Sequence, residues 1–482
     1  MANTRTLHRS ISERWVIIGT LVLESPAHFG NGDADPLTDM PLLTDEASGR
    51  PLLPGTSIAG ALRNYLRERA LGYGQAEKSD TIASALFGGY REDENGAQSS
   101  LIVFDAVSEA SGFELRDGVA IDPETRTAAD QKKFDLELLA AGTTFPLRFE
   151  LQVGDGADGQ QLRNILGTAL SGLENGEITL GARKRRGFGQ MTVKGWQIWK
   201  YDLKSKKGLL ACLSSERDWK KAYPEQAGAS LTEKLGATLL SENERKQARL
   251  SATFALDGTL MIRSGFGASD SGPDMVHLHA ARLDGTPQPV IPGTSWAGVL
   301  RGRALKIART VSGDKQKLAR AFVDGMFGPS EIKPGQKDVR ASRVSIKESK
   351  IEKVDSLVVT RVKIDRFTGG AFESALFTEQ PAVGKPETRV TLDLTLRNPQ
   401  RAEIGLLLLL LKDLWTGDLP IGGESGIGRG RLKGISATLN APQGQWTLTA
   451  KDEKLEIVPD AEKLEEFVSA FNQEIKKAQV EA

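Results

Sequence analysis

Cysteine and histidine are scarce in this sequence. A single cysteine, Cys212, and four histidines occur among 482 residues. One cysteine excludes an intrachain disulfide and a zinc cluster built from thiolates, and it is typical of the reducing cytoplasm. The four histidines leave little material for a metal site made of imidazoles. The sequence therefore predicts a cytoplasmic protein that is held together without disulfides.

Net charge and long hydrophobic runs are also absent. Lysine plus arginine and aspartate plus glutamate both number 63, so the formal net charge is zero. This balance argues against a diffuse polycation, but nucleic-acid binding requires only a local basic patch. Residues 404–411 are apolar but too few to cross a bilayer, so we expect a buried helix there and no membrane association. The apolar run 15–23 follows basic residues but has no clean cleavage site after it, and we interpret it as a first β-strand rather than a signal peptide.

The sequence repeats itself. Residues 54–63 (PGTSIAGALR) return as residues 292–301 (PGTSWAGVLR), with eight of ten positions identical at a separation of 238 residues (292 − 54). Further landmarks recur in the same order: 86–89 with 326–329, 119–122 with 362–365, and the glycine-rich runs 181–189 and 422–430. Four ordered matches indicate an internal duplication. We call its halves the first copy and the second copy.

The landmarks divide the chain into the first copy at 10–203, a helical linker or insertion at 204–249, the second copy at 250–447 and a C-terminal segment at 448–482. Each copy is long enough to bury its own core. The first copy is predicted to run strand, helix, strands, helix, strand, which suits a ferredoxin-like α+β domain.

Several individual elements can be predicted as well. In the linker we expect helices near 209–222 and 231–249, and around the first glycine-rich run we expect strands at 177–180 and 191–199. The C-terminal segment has an amphipathic pattern after Asp460, a predicted cap, and we expect this helix to pack on its own chain.

The Pro-Gly-Thr-Ser motif precedes a helical pattern in both copies, and Thr56 or Ser57 is predicted to cap the first of these helices. The free N–H groups and the dipole of a helix start suit a phosphate. Arg63 and Arg301 follow about two turns further on. Taken alone, each is more often a solvated surface arginine than a ligand.

The glycine-rich runs carry cations. In the first run Arg183, Lys184, Arg185 and Arg186 precede Gly187 and Gly189; the second run is less basic but richer in glycine. Glycine lets backbone amides approach a phosphodiester, and arginine supplies forked donors. The alternative is a hairpin with exposed charge. Neither run is a Walker A loop or a dinucleotide fingerprint, so we expect no nucleotide cofactor.

Aspartates are scattered through the loop that follows the first strand of each copy. They are Asp33, Asp35, Asp39 and Asp45 in the first copy and Asp270, Asp274 and Asp284 in the second. Such residues are usually turn formers. A loop carboxylate that faces a bound phosphodiester could instead hold a divalent metal or orient an attacking group.

Together these elements resemble the RAMP (repeat-associated mysterious protein) superfamily, specifically the backbone subunits of type III CRISPR effector complexes. The resemblance rests on the loop 30–45, the segment 50–57 with its helix, the Phe-Gly turn at 87–88, the element 119–122 and the closing glycine-rich run. It covers both copies. It implies two tandem ferredoxin-like, RNA-recognition-motif-like domains, each with a β-hairpin "thumb" insertion, expected near 108–135 and 345–378.

The resemblance also implies a function and partners. A fused double backbone subunit would bind guide CRISPR RNA and, with other type III effector subunits, would cleave complementary single-stranded target RNA at regular intervals as a metal-dependent endoribonuclease. In the family, a loop aspartate before the Pro-Gly-Thr-Ser segment supports this cleavage.

The family pattern points to particular residues. Asp39 fits the position of the catalytic aspartate, and Asp274 is the nearest match in the second copy, although the segment that follows it is longer. Both are candidate ligands of Mg²⁺ or Mn²⁺, and Asp33, Asp270 and His28 are secondary candidates. The predicted RNA contacts are Thr56, Ser57, Arg63, Arg183, Lys184, Arg185, Arg186, Gly187, Gly189, Thr294, Ser295, Arg301, Gly426, Gly428, Arg429 and Arg431.

Two other interpretations stay open. A guide-processing endoribonuclease of the same superfamily also pairs two ferredoxin-like domains, but such enzymes usually rely on a histidine, for which His28 is the candidate in the first copy. A non-catalytic scaffold would hold the guide without cutting. The sequence also leaves open whether both copies cleave.

Overall fold

The computed structural model of the protein describes residues 10–30, 32, 39–77, 81–89, 98–122, 125, 127–214, 224–264, 272–313, 316–329, 339–451 and 454–477. The strands of the first copy are β1 (Ile11–Leu23), β2 (Leu52–Leu53), β3 (Leu101–Val103), β4 (Ala106–Val107), β5 (Phe113–Ile121), β6 (Ala128–Leu139), β7 (Thr144–Gly154) and β8 (Met191–Asp202). Its helices are α1 (Gly55–Leu71), α2 (Ile82–Phe87) and α3 (Gly159–Glu174).

Two short helices, α4 (Lys206–Ser214) and α5 (Leu231–Leu235), come between the copies in sequence. The strands of the second copy and the C-terminal segment are β9 (Gln247–Asp257), β10 (Thr259–Leu260), β11 (Arg263–Ser264), β12 (Met275–His277), β13 (His279–Ala280), β14 (Gln288–Ile291), β15 (Val344–Ile346), β16 (Ser349–Glu352), β17 (Asp355–Ser356), β18 (Val359–Ile364), β19 (Ala371–Gln380), β20 (Ala382–Val383), β21 (Arg389–Arg397), β22 (Arg431–Ala441), β23 (Gly444–Lys451) and β24 (Lys454–Val458). The helices are α6 (Gly293–Ser312), α7 (Gln316–Phe327), α8 (Arg401–Trp415) and α9 (Glu462–Lys477).

The central sheets of the two copies share one strand order. In the first copy β3, β7, β1 and β8 lie side by side, and in the second copy β16, β21, β9 and β22 do so. All of these pairings are antiparallel. With α1 and α3, or α6 and α8, on the connections between them, each copy has the βαββαβ order of an α+β domain and is consistent with a ferredoxin-like fold.

Each copy buries its own hydrophobic core. In β21 every second residue is buried, which is the period-two pattern of a strand with one face on the core. In α3 every residue from 165 to 173 is buried, and Ile165, Leu166 and Leu170 are fully buried. A fully buried leucine or isoleucine contributes about 1.5–3 kcal/mol to folding. The two resulting clusters are separate, and α5 belongs to the first copy's core through Leu231 and Leu235.

A long β-hairpin projects from each copy. The first hairpin pairs β5 with β6, and the second hairpin pairs β18 with β19. The repeated elements 119–122 and 362–365 both end the first strand of their hairpin, 243 residues apart (362 − 119). The hairpins lie close to the expected insertions at 108–135 and 345–378, while their action as thumbs stays a prediction.

The expected buried helix at 404–411 and the packing of the C-terminal helix are confirmed. Helix α8 is buried along most of its length, and α9 packs against it with Leu464, Phe467 and Phe471 buried. The Lys463 N–H donates to Asp460 Oδ1 at 3.0 Å, as expected of a cap.

The predicted cap of the first helix is wrong. Helix α1 begins at Gly55, after Pro54, and no side chain at its N-cap position accepts a hydrogen bond. The Gly55 N–H donates instead to Asp105 Oδ1 at 2.6 Å. A partner 50 residues away in sequence therefore satisfies this helix start, and local sequence patterns do not report such a contact.

Two further element predictions need correction. The helix expected at 231–249 ends at Leu235, and residues from Gln247 onwards form the central strand β9. Buried and exposed residues alternate along β9, so period-two burial outweighs helix propensity there. Residues 177–180 are not a strand; they fold back onto α3 and the glycine-rich run through the hydrogen bonds Ile178 N–H to Gly172 O and Leu180 N–H to Gly189 O.

Candidate nucleic-acid interface

The two candidate catalytic aspartates occupy equivalent places. The Asp39 carboxylate accepts the backbone N–H of Asp135 at 2.9 Å, and the Asp274 carboxylate accepts the N–H of Thr378 at 2.7 Å. Asp135 and Thr378 are 243 residues apart (378 − 135), which is the separation that relates the two hairpins. Each aspartate is therefore held, exposed, against the second strand of the hairpin of its own copy.

The surroundings of the two aspartates differ. In the first copy Asp117 lies directly across from Asp135 on the hairpin, and Lys133 binds Asp117 at 3.2 Å. Hydrogen bonding to Asp117, partial desolvation and the charges of Asp117 and Asp39 raise the pKa of Asp135 above its usual value. The first site is thus crowded with negative charge.

Threonines replace these extra carboxylates in the second copy. The Thr378 hydroxyl donates to the Asp274 carboxylate at 3.0 Å, and Thr360 lies across from Thr378. The hydrogen bonds from the Thr378 N–H and hydroxyl lower the pKa of Asp274, because they stabilise the ionised form.

The described residues do not form a complete metal site. No group of three or more histidine, cysteine, aspartate or glutamate side chains among them is arranged to hold a metal ion. Asp33, Asp35 and Asp270, which the sequence also suggested, lie outside the described residues. Asp45 and Asp284 form local turns with Ser48 and Thr286.

His28 is buried rather than presented to solvent. Its side chain is 3% exposed, and Nδ1 lies 2.8 Å from the backbone oxygen of Glu137. The ring packs under the loop at Gly30. A buried imidazole with these contacts supports the loop.

The first glycine-rich run lies at the junction between the copies. A Cβ atom on Gly187 would approach the Glu348 nitrogen to 2.5 Å, and one on Gly293 would approach the Arg186 oxygen to 2.3 Å. Both positions therefore require glycine for close backbone contact. The run of the first copy is seated on the Pro-Gly turn that starts α6 in the second copy.

Four consecutive cations accompany this contact. Lys184 is exposed, and Arg183, Arg185 and Arg186 are half-buried. Arg183 lies over the ring of Phe134 at 4.2 Å, and Arg186 donates to the Phe327 backbone oxygen at 3.4 Å. Within the described part of the chain, none of the four forms an ion pair with a carboxylate.

Positive charge is concentrated at this junction beyond the run itself. Desolvation and the neighbouring charge of Arg397 lower the pKa of Arg185 to about 10. Desolvation together with Arg301 lowers the pKa of Arg186, and desolvation, Arg185 and Arg397 lower that of Lys184. Arg185 therefore remains protonated at neutral pH, and the three cations repel one another. An anion placed among them would relieve both their mutual repulsion and their loss of hydration.

The second glycine-rich run is built differently. Arg429 is 4% exposed and donates to Glu379 at 2.9 Å and to Glu424. Its guanidinium is therefore not presented to a ligand in this conformation. Gly426, Gly428 and Arg431 are exposed. Ser425, Gly426 and Ile427 stand where the first run has Lys184, Arg185 and Arg186.

The remaining predicted contacts divide into exposed and engaged side chains. Thr56, Ser57 and Thr294 are exposed at the helix starts, and Ser295 is half-buried. Arg63 pairs with Glu77 at 3.1 Å and donates to the Gly89 oxygen at 2.9 Å, which ties the Phe-Gly turn to α1. Arg301 pairs with Asp324 beside Arg186.

Sequence reasoning missed Arg397. It pairs with Glu68 of the first copy at 3.1 Å, lies 4.3 Å above the ring of Tyr73 and adds its charge to the basic junction. It stands at the end of β21 in an otherwise ordinary strand pattern, so no local signal marks it. Only the packing of one copy on the other reveals its place.

Comparison with known proteins agrees with the duplication. The family model described as the RAMP superfamily matches residues 20–192 and 255–433, one match in each copy. No curated protein matches the chain. In the described part of the chain, no helix has both the length and the apolar character needed to cross a bilayer. Two family matches on two similarly folded copies show that the chain belongs to the RAMP superfamily, whose members bind CRISPR RNA in multisubunit complexes.

Proposed function

We propose that the protein is a double backbone subunit of a type III CRISPR ribonucleoprotein. It binds guide RNA and cleaves paired target RNA at two positions. The observation that carries the proposal is the basic junction, defined here as Lys184, Arg185, Arg186, Arg301 and Arg397. Its cations are partly desolvated and outnumber the nearby carboxylates Glu68 and Asp324.

A polyanion would neutralise the cations of the basic junction more completely than the carboxylates of Glu68 and Asp324 do. Burying unpaired cations costs free energy in the free protein, so a ligand with closely spaced negative charges gains from neutralising them. The glycines at 187 and 293 already place two backbones in contact, which leaves the side chains to supply the phosphate contacts. Guides vary in sequence, so recognition through backbone and shape is the mode that fits them.

The cleavage part of the proposal rests on the equivalent placement of Asp39 and Asp274. Each carboxylate is exposed and fixed by a backbone N–H of its hairpin, in an orientation that leaves oxygen lone pairs free. Each could hold Mg²⁺ or Mn²⁺ together with phosphate oxygens of the bound RNA, since hard cations prefer oxygen ligands. Such a metal would polarise the scissile phosphate.

The test of RNA binding replaces Lys184, Arg185 and Arg186 with Ser and leaves Arg183 in its packing position over Phe134. We expect guide affinity to fall by a similar factor for guides of unrelated sequence. The log–log salt dependence should flatten by about 0.7 for each phosphate that the variant no longer neutralises, or about 2 for three phosphates. Affinity is measured by fluorescence anisotropy across a salt series.

A matched control removes three exposed cations elsewhere, by replacing Lys204, Lys206 and Lys207 with Ser. It should leave affinity and slope nearly unchanged. Equal losses in both triple variants would mean that binding is diffuse. A loss confined to particular guides would show that the run reads bases, and both results contradict the proposal.

A further inference from the structure

Arg116 anchors the first hairpin to the second copy. It lies on β5 and is 6% exposed. Its Nη1 donates to Glu348 Oε2 of the second copy at 2.5 Å, and its Nη2 donates to Oε1 at 3.4 Å. On its own strand it also pairs with Glu114, and its guanidinium stands over the ring of Phe188.

Glu114 extends the anchor. Its second carboxylate oxygen accepts the Ala281 N–H of the second copy at 3.0 Å. Beside it, the Leu283 N–H donates to the Ala141 oxygen at 3.0 Å. The base of the first hairpin is thus held by a buried bidentate ion pair and by backbone contacts, all of which cross the junction.

This pair is specific to the meeting of the two copies. Asp105 is the counterpart of Glu348 in the first copy (348 − 105 = 243), and it binds Gly55 of its own copy instead. Val359 is the counterpart of Arg116 in the second hairpin (359 − 116 = 243). Neither partner repeats its role in the other copy, so the ion pair serves the junction rather than the fold of a copy.

The anchor adjoins the candidate catalytic site. On the first hairpin Arg116 is paired with Leu136, and the neighbouring pair is Asp117 with Asp135. Asp135 is the residue whose N–H holds Asp39. One step along the strand therefore separates the contact with the second copy from the contact with Asp39.

We propose that Arg116, held between Glu114 and Glu348, is a positioning residue that fixes the Asp39 site relative to the second copy and sets the spacing between the two cleavage positions. The spacing part rests on the proposed function. The anchoring part does not, because it concerns only the distance between the first hairpin and the second copy.

The test uses the full chain with Glu348→Ala, which leaves Arg116 paired with Glu114 and so avoids two unpaired buried carboxylates. Spin labels are placed at Thr125→Cys, in the turn of the first hairpin, and at Lys350→Cys, an exposed site on β16, in a Cys212→Ser background. The distance distribution between the labels is measured by electron double resonance. The spacing of target products is read on a sequencing gel with the guide-loaded complex.

Asp413→Ala is the matched control. Asp413 is also an acidic side chain, 8% exposed against 10% for Glu348, and it pairs with Arg303 at 2.6 Å inside the second copy. We expect Glu348→Ala to increase the width of the distribution of label distances at least twofold and to spread the product spacing by a nucleotide or more. Asp413→Ala should change neither quantity.

An unchanged distance distribution in folded Glu348→Ala would overturn the anchoring. A broadened distribution with product spacing as sharp as in the parent would overturn the link to spacing. If the parent complex does not cleave at all, the proposed function fails, while the distance measurement still decides the anchoring.

Discussion

At the scale of single residues, Asp39 and Asp274 carry the proposed chemistry. A carboxylate that holds a metal stabilises the transition state by several kcal/mol and adds less to ground-state binding. We therefore expect Asp39→Ala to remove one target product, with its rate reduced at least about 100-fold, while guide and target binding persist. Asp274→Ala should remove the other product. Product analysis on end-labelled target RNA measures both.

Asp284→Ala provides the control for these variants. Asp284 is an exposed aspartate of the second copy whose carboxylate bonds only to Thr286 in the described structure. The Asp284→Ala variant should cleave both target positions at the rate of the parent protein. If Asp39→Ala and Asp274→Ala also cut normally, the scaffold interpretation gains and the metal-assisted mechanism fails. A loss of both products from either single variant would mean that the two sites are not independent.

We expect His277 to make the stability of the second copy depend on pH. The ring is fully buried; Nε2 donates to the Val290 oxygen at 3.1 Å, and Nδ1 accepts the Ile262 N–H at 3.2 Å. A neutral ring satisfies both bonds, whereas a proton on Nδ1 would face the Ile262 N–H. Burial, and then the charge of His279, lower the pKa of His277 to about 4.

The direction of the pH effect follows from this shift. Below its ordinary pKa of about 6.5, the unfolded state takes up a proton that the folded state refuses. Stability should therefore fall as pH drops from about 6.5 to 4, by roughly 3 kcal/mol at most. His277→Gln, which keeps one donor and one acceptor, should lose this pH-dependent part. Urea unfolding of the second copy at several pH values gives the free energy of unfolding of the parent and of His277→Gln. If this free energy depended on pH equally in both proteins, the prediction would be contradicted.

At the scale of elements, each glycine-rich run packs against the hairpin of its own copy, but the side chains at this contact differ between the copies. In the first copy Phe188 packs with Leu136 and Leu138 of the hairpin in an apolar cluster. In the second copy Arg429 and Glu379 occupy the corresponding positions (429 − 188 = 241; 379 − 136 = 243) and form a buried ion pair at 2.9 Å. Arg361 also binds Glu379 at 3.0 Å. The fold therefore accepts either solution at this contact.

This comparison predicts a non-additive pair of substitutions. Glu379→Leu alone removes one of the two carboxylate partners of the buried Arg429 and leaves only Glu424, so it should destabilise the second copy by up to about 3–5 kcal/mol. Glu379→Leu combined with Arg429→Phe installs the first copy's residues, and it should recover most of that loss, because apolar replacements of buried ion pairs are often neutral or stabilising. Denaturant unfolding of the single and double variants gives the coupling energy. Simple addition of the two single effects would show that the positions are not interchangeable.

Periodic elements could be predicted from the sequence, while contacts distant in sequence could not. The buried helix α8 and the apolar face of α9 follow from their own spacing of apolar residues. The start of α1 depends on a hydrogen bond to Asp105. Helix α5 does not extend to residue 249 as predicted, because residues from Gln247 onwards pair with β21 and β22 as strand β9. Tertiary pairing overrides local propensity at these places.

At the scale of the whole molecule, the duplication correctly predicted that one fold occurs twice, but it did not predict how the copies meet. The basic run 183–186 is visible in the sequence as a cluster of charge. Its seat on Gly293, its neighbour Arg397 and the anchor from Arg116 to Glu348 become evident only when one copy lies against the other. These residues have no counterpart with the same role in the other copy, so comparison of the repeats does not single them out.

The last prediction concerns the independence of the two copies. No hydrophobic cluster of the described residues includes members of both copies, and the contacts between the copies include ion pairs, backbone and side-chain hydrogen bonds and the contact of Arg397 with the Tyr73 ring. Polar junctions of this kind transmit little folding free energy, so each core should unfold largely by itself.

Leu166→Ala in α3 should therefore destabilise only the first copy, by about 2–5 kcal/mol. Leu407→Ala in α8 is the matched change, since both side chains are fully or almost fully buried in the third helix of their copy. Hydrogen exchange with peptide resolution in increasing denaturant separates the two responses. If Leu166→Ala lowers protection in β9 and α8 as much as in β1 and α3, the molecule unfolds as one cooperative unit, and the junction couples the copies far more strongly than its polar contacts suggest.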